Sequence, residues 1–149
     1  ALFCAMYVNE LTNRIMPQGL ASDGVYSAYE AALLALRDEA DIEVTLRQLE
    51  FALLDEMGLL PDFTSDVEYE MPIEENGRYH LQLDAGFIQI PADVVGARGI
   101  PGTALLSLSQ GEFTPLSKKG AKVLCRDLLK PLIGDKPLKS RELFMTKPR

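Results

Sequence analysis

Residues 42–58 read IEVTLRQLEFALLDEMG, and the spacing within them decides the fold class. Ile42, Leu46, Leu49, Leu53 and Met57 recur at steps of three and four, which places them on one face of an α-helix. Gly58 stands just past the last turn, where a left-handed residue closes a helix, and Pro61 prevents its resumption. Toward the N-terminus, a second helix is predicted after the cap candidates Ser22 and Asp23 and runs to about Arg37, with Tyr29, Ala32, Leu33 and Leu36 on one face. Another, over residues 1–16, carries Phe3, Tyr7, Leu11 and Ile15 at four-residue steps and stops at Pro17 and Gly19. Three amphipathic helices of this kind pack as a bundle.

Toward the C-terminus the period changes. Residues 67–71 and 79–83 are short alternating runs on either side of the Asn76-Gly77 pair, and Gly86 opens a third run over 87–90, a pattern that predicts a hairpin or meander. Residues 91–101 read as loop and 102–108 as a short helix. The last long helix is expected from the cap Ser117 to about Ile133, ending at Gly134, with Ala121, Leu124, Leu128 and Leu132 inward. Ser140 is placed to cap a final turn over 141–145. The expected fold is mainly α, a helical bundle with a small β-hairpin insert. It forms one domain over 1–149, with three helices in 1–61, the insert in 62–99 and basic helices in 100–149.

A chain of 149 residues is long enough for its own core, since a compact domain of that size buries roughly 68–70% of its unfolded surface. Cys4 and Cys125 are far apart in sequence and no CxxC occurs, so neither a disulfide framework nor a four-ligand zinc site is legible, and both are expected as reduced thiols. Apolar stretches such as 51–54 fall far short of the roughly 20 residues a membrane span needs, and no signal segment opens the chain, so a cytoplasmic protein with no membrane partner is expected. The chain opens without Met and already on helical spacing, the mark of a fragment.

Catalytic constellations are not found. His80 is the single histidine, and Asp84, four residues on, shares its strand face without direct contact; a plain strand-face histidine is the simpler reading. The glycines of 96–102 (GARGIPG) match neither a dinucleotide fingerprint nor a Walker sequence. Glu68, Glu70, Glu74 and Glu75 lack the twelve-residue ligand spacing of a calcium loop and read as a solvated acidic stretch. No catalytic residue, metal or cofactor is expected.

Charge placement is more informative than the net of −7. Residues 1–76 hold three arginines against sixteen carboxylates, a net of −13, whereas 117–149 hold ten bases against three acids, a net of +7. Lys118, Lys122, Arg126 and Lys130 recur at four-residue steps, beside Lys119, as a ridge opposite Leu124, Leu128 and Leu132. Like charges at that spacing destabilise a helix by roughly 0.2–0.5 kcal/mol per pair, which invites a binding explanation. A solvated face balanced by the acidic half of the chain is the equal rival.

Three segments, in order, resemble the RecO recombination mediator family in its C-terminal helical region. They are Tyr7-Val8-Asn9-Glu10-Leu11; Leu46-Arg47-Gln48-Leu49-Glu50-Phe51-Ala52-Leu53-Leu54, closing with Met57-Gly58 and Pro61-Asp62; and Gly134-Asp135-Lys136-Pro137-Leu138-Lys139-Ser140-Arg141-Glu142-Leu143-Phe144. The third, with its Lys-Pro-Leu-Lys-Ser-Arg-Glu-Leu run, is the most specific, and the three span nearly the whole chain.

The resemblance implies a non-enzymatic mediator of DNA repair and homologous recombination. Such a protein binds and anneals single-stranded DNA, cooperates with RecR, and helps RecA, indirectly, to replace the single-strand binding protein SSB; its location would be cytoplasmic and with the nucleoid. Family members begin with an OB-fold barrel, of which nothing is legible here, so that domain is expected upstream of this chain. Many members hold zinc on cysteines in the insert, whereas residues 62–99 contain none, and zinc is not expected. The helical region of the family also receives the acidic C-terminal tail of SSB, which ends in apolar residues and a free carboxylate. On that resemblance Arg47 is the expected cation, with Phe51 and Leu54 one and two turns on; the plain alternative pairs Arg47 with Glu43 or Glu50 as an ordinary surface bridge. In either case Arg47 is expected at the surface, where its replacement leaves stability nearly unchanged. DNA or partner contacts are expected from Lys118, Lys122, Arg126 and Lys130, together with Lys139 and Arg141 of the closing signature. A helical scaffold or regulatory subunit with no nucleic-acid role is the second reading.

Overall fold

The computed structural model describes residues 2–16, 23–38, 41–96, 98–134 and 138–139, without the side chains of residues 2 and 3. Five helices and three strands follow in the order α1 (Leu2–Ile15), α2 (Asp23–Arg37), α3 (Ile42–Glu56), β1 (Arg78–Gln82), β2 (Gly86–Gln89), β3 (Ile100–Pro101), α4 (Gly102–Ser109) and α5 (Pro115–Ile133). The mainly α class with a small antiparallel insert is therefore the fold found. The chain divides into two compact units, residues 1–58 with 125–149 and residues 59–124.

In the first unit α1, α2 and α3 pack on one another. The predicted stripe of α1 is buried at Tyr7, Leu11 and Ile15, joined by Cys4 and Val8. On α2 Val25, Ala32 and Leu36 are buried, while Tyr29 and Leu33 are half-buried. Helix α3 starts at Asp41, whose side chain accepts from Val44 N–H at 3.1 Å, and closes at Gly58 with φ +71°, a conformation that glycine takes without strain. Its buried face is rotated from the predicted one. Ile42 and Met57 are exposed, whereas Thr45, Leu49, Glu50, Leu53 and Leu54 are buried. The residues of α5 from Cys125 onward complete this unit, with Leu128 and Leu129 buried and Arg14 Nη1 donating to the Ile133 carbonyl at 3.0 Å, which satisfies one of the open carbonyls at the helix end. Leu138, fully buried, and Lys139, whose N–H donates to Glu10 Oε2 at 2.8 Å, tie down the start of the closing segment.

The second unit is a three-stranded antiparallel sheet in the order β2-β1-β3, with α4 and the first turns of α5. Tyr79 lies opposite Gln89 on one side and Ile100 on the other; Tyr79 and Phe87 are both fully buried. Two predictions here are corrected. The hairpin closes through residues 83–85 and not at Asn76-Gly77, which instead forms a turn with Gly77 N–H donating to the Glu74 carbonyl at 3.1 Å. Residues 67–71 are not a strand but a turn organised by Asp66. The Asp66 carboxylate accepts from Glu68 N–H (2.7 Å), Tyr69 N–H (3.1 Å) and Gln89 N–H (2.9 Å), an arrangement in which a side chain outcompetes strand pairing for the backbone. Helix α5 also begins three residues earlier than predicted. Thr114 caps it, Pro115 takes the first position, and Ser117 lies inside: Ser117 N–H donates to Thr114 Oγ1 at 3.0 Å and Thr114 N–H to Ser117 Oγ at 2.8 Å, a reciprocal capping box. The predicted turn over 141–145 with its cap Ser140 lies outside the described residues.

Candidate functional site

The most unusual chemistry in the molecule is a buried ion pair in the first unit. Glu50 is 2% exposed, and Arg47, one helical turn earlier, pairs with it through Nη1 while only 16% exposed. Tyr7 of α1 donates its hydroxyl to the other Glu50 oxygen at 2.5 Å. Cys125 of α5, also fully buried, adjoins both charges. Burial pushes the Cys125 thiol far up, Glu50 pushes it further, and Arg47 only partly opposes them, so the group is a thiol and not a nucleophile. For Arg47 burial disfavours the charge, but the field of Glu50, with smaller contributions from Cys125 and Tyr7, outweighs it and raises the pKa.

Arg47 therefore does not stand as the expected surface cation. The pairing with Glu50 foreseen as the alternative exists, but as a buried interaction and not as a surface bridge. Its Nε is buried with no hydrogen-bond partner among the described residues, an orphan donor of a kind native structures rarely leave. Phe51 is half-buried and Leu54 is fully buried, so Leu54 supports this region from within the core. Sequence reasoning missed Tyr7, Glu50 and Cys125 as a group. One signal was available: Glu50 is flanked at helical spacing by Leu46, Leu53 and Leu54, and a carboxylate inside an apolar stripe must be paired.

The second candidate surface runs along α5. Lys122, Arg126 and Lys130 are exposed, as is Lys119, and Lys118 is half-buried, so the four-residue steps do make a cationic face while Ala121, Leu124 and Leu128 lie inward and Leu132 is half-buried. Arg126 meets Asp127 at 3.5 Å, with side chains 62% and 47% exposed, an arrangement worth little in water. Lys122 and Lys130 are in no ion pair among the described residues. Lys139 is exposed, and Arg141 lies outside the described residues.

The other sequence features are plainly placed. His80 is exposed on β1, opposite Ile88 in register, which fits a strand-face histidine. Among the described residues no group of three or more His, Cys, Asp or Glu side chains is arranged to hold a metal ion, and no helix is long and apolar enough to cross a membrane.

A mainly α chain with a small antiparallel insert, a buried ion pair within its helical unit and a cationic face on its last long helix is the class the geometry defines. Comparison with known proteins narrows it. The family model for the C-terminal part of recombination protein O matches residues 1–142, so the chain belongs to that family. The chain is 98% identical over 149 residues to the DNA repair protein RecO of Alteromonas mediterranea, covering all of this chain and 64% of that protein. It is 38% identical over 145 residues to DNA repair protein RecO of Cellvibrio japonicus, covering 97% of this chain and 61% of the relative. With DNA repair protein RecO of Vibrio cholerae the identity is 37% over 145 residues, covering 96% and 59%. The chain thus spans a little under two thirds of the length of these relatives.

Proposed function

We propose that the chain is the helical, partner-docking part of a RecO-type mediator of DNA repair and homologous recombination, acting by contact and without covalent chemistry. The family match over residues 1–142 carries this reading. In it Lys118, Lys122, Arg126 and Lys130 of α5, together with Lys139 and Arg141 of the closing signature, meet the phosphates of single-stranded DNA. The region around Arg47 and Phe51, underlain by Leu54, receives the C-terminal tail of SSB. With RecR, the whole protein then supports annealing and the loading of RecA, in the cytoplasm at the nucleoid.

The burial of Arg47 refines the tail site. Arg47 spends Nη1 on Glu50, so what it offers a carboxylate is its remaining donors, already oriented by the pair; a guanidinium fork held in place loses less freedom on binding than a free lysine.

The test is a titration of this chain with a fluorescein-labelled SSB tail peptide, alongside the same peptide ending in an amide. A charge-assisted hydrogen bond contributes roughly 1.5–3 kcal/mol, so the amide should bind about tenfold or more weakly. Equal binding of acid and amide would remove the carboxylate site, and absence of binding to both peptide and single-stranded DNA would favour a purely scaffolding domain.

A further inference from the structure

We propose that the second unit carries a docking surface for a basic protein segment, one that sets an apolar anchor between lysines or arginines, formed by the Asp66 turn and the tip of the β1–β2 hairpin. Val67 is 38% exposed, Tyr69 68%, Met71 58% and Leu83 45%, so the Asp66 turn and the tip of the hairpin each turn large apolar side chains to water. Val67 N–H donates to the Phe87 carbonyl at 2.9 Å, and a Cβ on Gly86 would lie 2.7 Å from Val67 Cγ1. The Asp66 turn therefore lies directly against the hairpin end that carries Leu83. Large apolar groups gathered in water mark interaction sites more often than accident, and tyrosine and methionine are the residues most used there.

The exposure is held rigidly. Asp66, 2% exposed, uses its carboxylate on three backbone N–H groups, its own N–H donates to the Met71 carbonyl at 2.7 Å, and Ser65 bridges Pro72, while the buried rings of Phe63 and Phe87 meet at a tilt with centres 5.5 Å apart. A loop so tied down loses little freedom when a partner arrives.

Charge selects the partner. Residues 62–97 contain eight carboxylates and one arginine, and Arg78 donates to the Val94 carbonyl at 3.0 Å. Glu68 and Glu70 flank Tyr69 in sequence, Asp84 follows Leu83, and all three are exposed, so carboxylates accompany the exposed apolar side chains. Such carboxylates repel nucleic acid and favour a cationic segment, whose lysine or arginine can also lie over the open face of Tyr69. Glu70 and Asp84 hold φ of 55° and 73°, a region glycine enters more readily, yet both positions carry a carboxylate.

The probe is a labelled peptide, Gly-Ser-Lys-Leu-Arg-Phe-Lys-Gly-Ser, titrated into the whole chain and followed by anisotropy and by backbone amide shifts. Saturable binding with shifts at 67–71 and 83–85 is expected, weakened roughly tenfold or more by Tyr69→Ala with Met71→Ala, the loss typical of an anchor residue. The pair Glu70→Gly and Asp84→Gly should weaken binding several-fold while melting stays level or rises, which separates a binding role from a folding one. Equal binding of a control with serine in place of Leu and Phe would overturn the proposal, as would shifts elsewhere or no saturation. Concentration-dependent sedimentation of the chain alone, abolished by Tyr69→Ala with Met71→Ala, would make the occupant a second copy and overturn it too.

Discussion

Arg47 and Glu50 determine how the first unit tolerates change. Removing one member of a buried pair strands the other, at a cost of about 3–5 kcal/mol, so Arg47→Ala should lower the urea midpoint sharply, against the mild effect a surface arginine would show. The triple change Tyr7→Phe, Arg47→Met and Glu50→Leu should recover most of the loss in the same denaturation series, because it removes both charges and the hydroxyl that donates to Glu50, and fills the space. If the triple variant is no more stable than Arg47→Ala, the pair is not the interaction that matters. Asp66 makes a prediction of opposite character, in pH. Burial disfavours its charge, but N–H donation from Tyr69, Gln89 and Glu68 outweighs that and holds its carboxyl below the usual carboxylate range. A depressed folded pKa means its contribution is complete above the unfolded value of about 3.9 and is lost as pH falls through the folded one. Asp66→Asn should therefore flatten the fall in stability below about pH 4 and lower stability at neutrality, as read from denaturant midpoints across pH 3–7.

At the scale of elements, close packing shows in α4. A Cβ on Gly102 would stand 1.8 Å from the Glu74 carbonyl oxygen, so Gly102→Ala must push α4 away from the turn before β1. A loss of about 1–3 kcal/mol is expected in thermal melts, the usual penalty of overpacking, despite the better helix propensity of alanine. The cationic face of α5 can be tested in the full-length protein. If about four phosphates are neutralised on single-stranded DNA, the log–log salt slope should be about −3, and Lys122→Glu with Arg126→Glu should flatten it. An unchanged slope would move the DNA contact off this helix. The elements also show what was readable. The stop of α3 at Gly58 and the burial of Leu124 and Leu128 were legible because they follow from local spacing and one backbone requirement. The Asp66 turn was not, because three N–H groups bonding one carboxylate leave no mark in the alternation of 67–71. The β1–β2 turn was legible in the runs 79–83 and 87–90 on either side of Gly86, whereas the hairpin that Asn76-Gly77 advertised has no strand on its N-terminal side. The Tyr7–Glu50 contact joins residues 43 apart, beyond the reach of any helical period.

At the scale of the molecule, metal and topology remain. With no cysteine in residues 62–99, the protein is expected to contain no stoichiometric zinc and to melt at the same temperature with and without EDTA; one zinc per chain on metal analysis would contradict this. The charge asymmetry along the chain was legible from counts alone, whereas the division into two units was not, since it depends on which parts of the chain make contact and not on local spacing. The first unit is discontinuous: residues 1–58 need 125–149, and the second unit is spliced between them. On a ribosome this fixes an order. Helices α1 to α3 are made before the second unit, yet the partners Cys125, Leu128, Leu129 and Leu138 that help close their core are synthesised only after it. The helices made before the second unit are thus sealed after it, and for that interval the nascent chain holds their apolar faces open to chaperones, while residues 59–124 form a continuous stretch that is complete sooner.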